Sequence, residues 1–174
     1  MAVLAAYSAG IDLQTIGKSV SEFNGIEHRM ELFHESAGIR FYNDSAATIP
    51  QAAAAAITTL SKEGPLVLVT GGSDKNLDFY LLAQAAAKAS SIILLAGKGS
   101  EKLIELLNKD GIKYRGPFDN LEKAVLAALE EARKFTGSSG GCIVALSPGC
   151  TSFEMFKNEF DRGLQWKEAC IKHS

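Results

Sequence analysis

Short blocks of nearly unbroken aliphatic residues recur along this chain, each separated from the next by a helix-length stretch. This alternation restricts the fold more than any other feature. The clearest blocks are LVLVT (66–70), SIILLA (91–96) and CIVALS (142–147). A strand wetted on one face alternates apolar and polar residues, so a strand that is apolar throughout must be covered on both. Between and around these blocks lie IPQAAAAAITTLSK (49–62), YLLAQAAAKA (80–89), SEKLIELLNK (100–109) and NLEKAVLAALEEARKF (120–135). These read as helices, the first with Pro50 suited to an opening turn. IKYR (112–115) reads as a further short strand, and MELFHES with IRFYND as a hairpin about Ala37-Gly38. The expected fold is α/β, Rossmann-like and doubly wound. It has a mostly parallel sheet of about six strands, one antiparallel edge strand, and helices on both faces. A last helix is expected from about Phe153 towards Cys170.

The first residues stand apart from this pattern. AVLAAYSA, stopped at Gly10, and TIGKSVSEF, stopped by Asn24-Gly25, read as two short helices. Met1 enters the first of them with no capping residue and with an apolar face exposed, which suggests a piece of a larger protein. Composition excludes several classes. The 174 residues are 47% hydrophobic and 22% charged, an ordinary globular balance. A net charge of -2 without a basic stripe argues against nucleic acid as a partner. No apolar run reaches the ~18 residues of a membrane span, and the N-terminus lacks the basic start of a signal peptide. Cys142, Cys150 and Cys170 are odd in number and lack CxxC spacing, which argues against disulfides or a zinc site. His28, His34 and His173 lack the spacing of a metal site, so no metal ligand is assigned. A soluble, cytoplasmic protein is expected.

In doubly wound sheets, ligands bind beyond the carboxyl ends of the strands. Three unusual segments fall there: Asn43-Asp44-Ser45-Ala46-Ala47-Thr48, Thr70-Gly71-Gly72-Ser73-Asp74-Lys75 and Ser147-Pro148-Gly149-Cys150-Thr151-Ser152. Each has a plain reading as well as a functional one. The first is a turn with an N-cap, or part of a site. In the second, paired glycines are a bare loop, or let the backbone approach an anion beside a lysine. The third is a cap with Ser152 ahead of a helix at Phe153, or a helix terminus that receives a carboxylate or phosphate. Cys150 has no histidine near it in sequence and reads as a small packed residue. The chain has neither GxxxxGK[ST] nor GxGxxG, which removes a P-loop and a dinucleotide fingerprint. The residues by themselves reach an anion-binding α/β domain.

Taken together, His28-Arg29, Asn43-Asp44-Ser45 with Thr48, Gly71-Gly72 with Asp74-Lys75 and Asp78-Phe79, and LSPGCTSFEMFKNEFDRG (146–163) resemble the Mur ligases. The likeness is greatest to the D-glutamate-adding members of that family. It covers nearly the whole chain and implies two parts. Residues 1–26 would be the helical tail end of a central ATPase domain, and 27–174 the C-terminal, amino-acid-binding domain. The resemblance implies an ATP-dependent ligase of peptidoglycan synthesis. In it the carboxylate of UDP-N-acetylmuramoyl-L-alanine is phosphorylated and the amine of D-glutamate attacks the acyl phosphate. Arg29 and Asp44 match residues that touch ATP, with Asn43 and Ser45 in the same motif. Thr48, Lys75 and Ser152 match residues that hold the D-glutamate carboxylates, with Phe153 beside them. ATP and Mg are implied as held mainly by the central domain, against which this one would pack, and the chain alone is not expected to catalyse. Two positions depart from the family. Ala46 stands where a lysine is often found, and Glu159 where an aromatic is common. Phe160, next along, is expected as a core helix position. Two further readings are the matching domain of another Mur or folylpolyglutamate-type ligase, and a stand-alone regulatory module for an anionic metabolite.

Overall fold

A computed structural model of the chain describes residues 1–23, 25–137, 141–153 and 155–174. Asn24 of the expected helix stop, and Glu154 of the 146–163 run, lie outside the described residues. The elements are α1 (Ala2–Ser8), α2 (Leu13–Ser21), β1 (Glu31–Ser36), β2 (Ile39–Asn43), α3 (Pro50–Leu60), β3 (Leu66–Gly71) and α4 (Tyr80–Ala86). They continue with β4 (Ser91–Leu95), α5 (Lys98–Lys109), β5 (Arg115–Phe118), α6 (Leu121–Ala132), β6 (Cys142–Leu146) and α7 (Glu159–His173).

The strands form one six-stranded sheet in the order β1-β2-β6-β3-β4-β5, with β1 antiparallel to β2 and every other pair parallel. The hairpin turns at Ala37 and Gly38, both at positive φ (50 and 77). That geometry matches the twist of the two strands it joins. The aliphatic blocks lie where two-sided burial requires. Leu66, Val67, Leu68 and Val69 are each at most 1% exposed. Their alternate side chains feed two cores. Leu66 and Leu68 pack towards α3, α4 and α5, while Val67 and Val69 pack towards α6 and α7. Each such side chain contributes about 1.5–3 kcal/mol on leaving water.

The chain steps from β2 to β3, β4 and β5 in one direction and then returns to lay β6 between β2 and β3. The strand order therefore reverses there, and the loops after β2, β6 and β3 are neighbours.

Of the element boundaries that differ from expectation, two have a clear physical cause. The short strand expected at 112–115 is at 115–118. Ile112 and Tyr114 turn into the core under α3 to α5, so Arg115 is the first residue to pair with β4, opposite Ile93. The final helix starts at Glu159, not near Phe153. Asn158 is fully extended and its Oδ1 accepts the Asp161 N–H at 2.8 Å, which is an N-cap. Upstream, the Ser152 carbonyl accepts the N–H groups of Met155 and Phe156. Ser152 is therefore not a helix cap. Phe160 is half exposed, at 54%, and packs edge-on against His28 rather than in the core.

α1 and α2 pack on each other and bury Ile16, leaving Val3, Leu4, Tyr7, Val20 and Phe23 exposed. A groove of about 420 Å³ runs between them.

Gly97, at φ 143, lies against the backbone of Gly72, and a Cβ there would also fall 2.9 Å from the Ser73 nitrogen. Gly97→Ala is expected to cost about 3 kcal/mol or more, because backbone rather than a flexible side chain stands in the way. Urea unfolding measures it, and a loss under about 1 kcal/mol would show that the two loops can separate freely.

Candidate functional site

At the end of β2 the chain carries two buried polar side chains in succession. Asn43 Nδ2 donates to Glu31 Oε2 at 3.0 Å and lies 2.9 Å from His28 Nδ1, while its Oδ1 accepts the Ser45 N–H. Asp44 Oδ1 accepts the Met30 N–H at 3.1 Å, and Oδ2 accepts the Ser147 hydroxyl at 2.6 Å. Burial raises the Asp44 pKa, partly offset by those two hydrogen bonds and by the nearby charge of Arg29. Arg29 itself is exposed. Thus the arginine and the aspartate that the sequence pairs are brought within electrostatic reach of each other, the acid inside and the cation outside.

The glycine loop after β3 behaves differently from an open anion cradle. The Gly71 N–H donates to the Pro148 carbonyl at 2.9 Å, and the Gly72 N–H to Ser100 Oγ at 2.8 Å. The Gly72 carbonyl in turn accepts the N–H groups of Gly99 and Ser100 at the start of α5. The glycines serve close packing: a Cβ on Gly72 would sit 2.9 Å from the Thr151 carbonyl. Beyond them Ser73 and Thr151 form a two-way backbone bridge, at 3.1 and 3.2 Å. Lys75 is exposed, with its Nζ 5.5 Å from the centroid of the exposed Phe153 ring. Such a distance is within reach of a cation–π attraction.

The loop after β6 lies between the other two and is tied to both. Gly149 N donates to the Ala47 carbonyl at 2.9 Å, and Asp44 N to the Leu146 carbonyl at 2.8 Å. Cys150 is buried in the core, as expected of a small packed residue. Ser152 is 3% exposed. Thr48 is half-buried ahead of α3, whose N-cap is Ile49 with no side-chain bond, so the first segment is not a capping motif. The structure therefore gathers Asn43, Asp44, Thr48, Lys75, Ser152 and Phe153 on three interlaced loops at one sheet edge.

Sequence reasoning missed the residue that ties these loops together. Arg162, on α7, is fully buried. Its Nε donates to Ser45 Oγ at 2.9 Å, Nη2 to the Ser45 carbonyl at 2.8 Å, and Nη1 to the Cys150 carbonyl at 3.1 Å. Ser45 Oγ passes a hydrogen bond on to the Glu159 carbonyl at 2.7 Å. Burial pushes the Arg162 pKa down to about 10, so it stays charged at neutral pH. Among the described residues no carboxylate lies within ion-pair distance of it. Only the arginine type and its place in the 146–163 run hinted at this. His28 is a second such residue, for which the sequence alone indicates no role. It is 4% exposed, with Gly163 of α7 directly beneath its ring. Glu27, His28 and Glu31 bring three donor atoms within 4.8 Å of one another, yet the Lys167 ammonium bridges the two carboxylates at 3.2 and 2.7 Å.

The fold is, by class, a doubly wound α/β domain whose polar loops meet at its strand-order reversal, the place where ligand sites of such sheets lie. The comparisons define it further. Residues 28–144 match the family model described as Mur ligase, glutamate ligase domain. The chain belongs to the Mur ligase family. It is 43% identical over 152 residues to a UDP-N-acetylmuramoylalanine--D-glutamate ligase of Treponema pallidum (strain Nichols), covering 87% of this chain and 27% of that protein. It is 44% identical over 165 residues to the protein of that description from Roseiflexus sp. (strain RS-1), covering 93% and 34%. The chain thus spans about a third of the length of the curated relatives it matches. Among solved structures, a UDP-N-acetylmuramate-alanine ligase from Thermotoga maritima shares the fold with a TM-score of 0.67 at 16% identity, covering 99% of this chain and 36% of that one. A MurF ligase from Thermotoga maritima in complex with ADP gives 0.62 at 16% identity, covering 99% and 37%.

Replacing Arg162 by methionine would strand the Ser45 and Cys150 carbonyls in the interior, so a loss of about 3 kcal/mol or more is expected in urea unfolding. Arg162→Lys should recover only part of this, since one nitrogen cannot reach three acceptors. Full recovery by lysine would mean that charge, and not the fork of donors, holds the loops.

Asp44 gives a pH signature. Its raised pKa means that the folded state binds the proton more tightly than the unfolded chain. Its contribution is therefore full below the unfolded value of about 3.9 and is lost as pH rises through the higher folded value. Asp44→Asn cannot titrate and should gain on the wild type as pH climbs from about 4. Urea midpoints of both proteins across pH check this, and a constant difference would contradict it.

Proposed function

We propose that this chain is the amino-acid-binding domain of an ATP-dependent ligase that adds D-glutamate to UDP-N-acetylmuramoyl-L-alanine in the cytoplasm, in peptidoglycan synthesis and cell-wall biogenesis. The observation that carries the proposal is the meeting of Lys75, Phe153 and Ser152 on two bridged loops, in a chain over 40% identical to proteins described as D-glutamate ligases. A dicarboxylate requires a cation and neutral donors for its oxygens. Lys75 supplies the charge, and Thr48 and Ser152 the hydroxyls. Phe153 limits the direction the lysine takes. Arg29 and Asp44 face the nucleotide, the arginine towards its phosphates and the aspartate towards its ribose, and Asn43 holds the turn that carries Asp44.

ATP and its magnesium are held mainly by a central domain, of which residues 1–26 form the tail. The exposed Val3, Leu4, Val20 and Phe23 and the groove between α1 and α2 support a packing surface for that domain. The work of residues 27–174 is to hold the amine donor so that its nitrogen meets the acyl phosphate. That is catalysis by positioning and charge compensation. No D-glutamate-dependent ADP release is expected from the 174 residues alone.

Titration of the ¹⁵N-labelled chain with D-glutamate should shift the amide signals of Lys75, Ser152 and Phe153, and L-glutamate should do so more weakly. Lys75→Met should weaken the response about tenfold, equivalent to about 1.4 kcal/mol. Equal responses to both enantiomers, or none to either, would overturn the assignment of the site.

A further inference from the structure

Lys75 is fixed from two directions. On one side the Ser73–Thr151 bridge brings the Phe153 ring beneath its ammonium. On the other stands Lys102, in the first turns of α5. Its ammonium is ion-paired with Asp74 Oδ2 and donates to Asn76 Oδ1 at 3.3 Å, so it grips the residues immediately before and after Lys75. Asp74 Oδ1 at the same time accepts the Leu77 N–H at 3.1 Å, and Asn76 sits at φ 60, which closes the turn.

Two consequences follow from charge and geometry. The Asp74 carboxylate adjoins Lys75 in the chain. Lys102 takes up that carboxylate, and among the described residues Lys75 has no ion-pair partner. The backbone on both sides of Lys75 is also held, which lowers the entropy lost when its side chain engages a ligand. The Lys102 side chain is 43% exposed, so such a pair adds little to global stability. Its effect is local.

We infer that Lys102 is a positioning residue for the Lys75 carboxylate site, holding Asp74 and Asn76 so that Lys75 stands over Phe153 with its charge available to a ligand. The inference rests on the reading of Lys75 as the lysine that receives D-glutamate.

The test compares the 174-residue wild type with Lys102→Met and Lys102→Arg, each carrying ¹³C-labelled lysine. The ε-methylene signal of Lys75 reports its place over the Phe153 ring through the ring-current shift, with no ligand needed. Lys102→Met should abolish that shift and weaken D-glutamate binding about tenfold. Lys102→Arg should keep both within about twofold, and neither variant should move Tm by more than about 4 °C. An unchanged ring-current shift in Lys102→Met, or a lost shift with unchanged D-glutamate affinity, overturns the inference while leaving the site reading intact. A wild type that ignores D-glutamate removes the site reading and this inference with it.

Discussion

The arrangement of the loops depends on one buried cation. Arg162 reaches from α7 to Ser45 on the β2 loop and to Cys150 on the β6 loop, using three of its nitrogens on neutral oxygens. Removing a guanidinium from water is costly unless acceptors replace it. The loops must therefore keep two backbone carbonyls and a hydroxyl turned inward at fixed positions. The same hydroxyl also reaches the first residue of α7. The Glu159 carbonyl accepts from Ser45 Oγ, so the helix start and the β2 loop share one hydrogen-bond chain.

The sheet order supplies the other half of the arrangement. Because β6 is inserted between β2 and β3, its loop touches both neighbours, and the polar segments at 43–48, 71–75 and 147–152 lie side by side. The glycines at 71 and 72 permit this proximity. Their N–H groups face protein oxygens, and their missing side chains allow the β3 loop to lie against the β6 loop and the start of α5. A Gly-Gly pair ahead of a lysine can be read as an anion cradle, but here the lysine is the part left facing outward. Hydrogen bonds of Asp74 and Asn76 hold the loop on both sides of Lys75, whose own side chain stays exposed.

Much of the fold was legible in the chain. The blocks at 66–70, 91–96 and 142–147 could only be strands covered on both faces, and they are. Where the reading slipped, a local signal lost to a tertiary one. Ile112 and Tyr114 looked like strand residues but were taken by the helical layer, and pairing with β4 began at Arg115. The start of α7 was misplaced because Ser152 is a good capping residue, whereas the cap that formed uses Asn158 and Asp161. The apolar character of Phe160 points to a core position. It instead covers His28, since Gly163 one turn later lets that imidazole approach the helix.

The sequence by itself determined the α/β class, the strand set, the three polar segments and the family, because apolar period and short motifs are local properties that survive without coordinates. Only the tertiary structure decided which of those segments face one another and what holds them. It put Arg162 under Ser45 and Cys150, and both His28 and Glu31 against Asn43. It also set Lys102 astride Lys75. Each of these contacts joins residues between 12 and 117 positions apart, or places one side chain on both flanks of another. Their existence depends on strand order and on the cost of burying charge, neither of which is written in any short stretch of the chain.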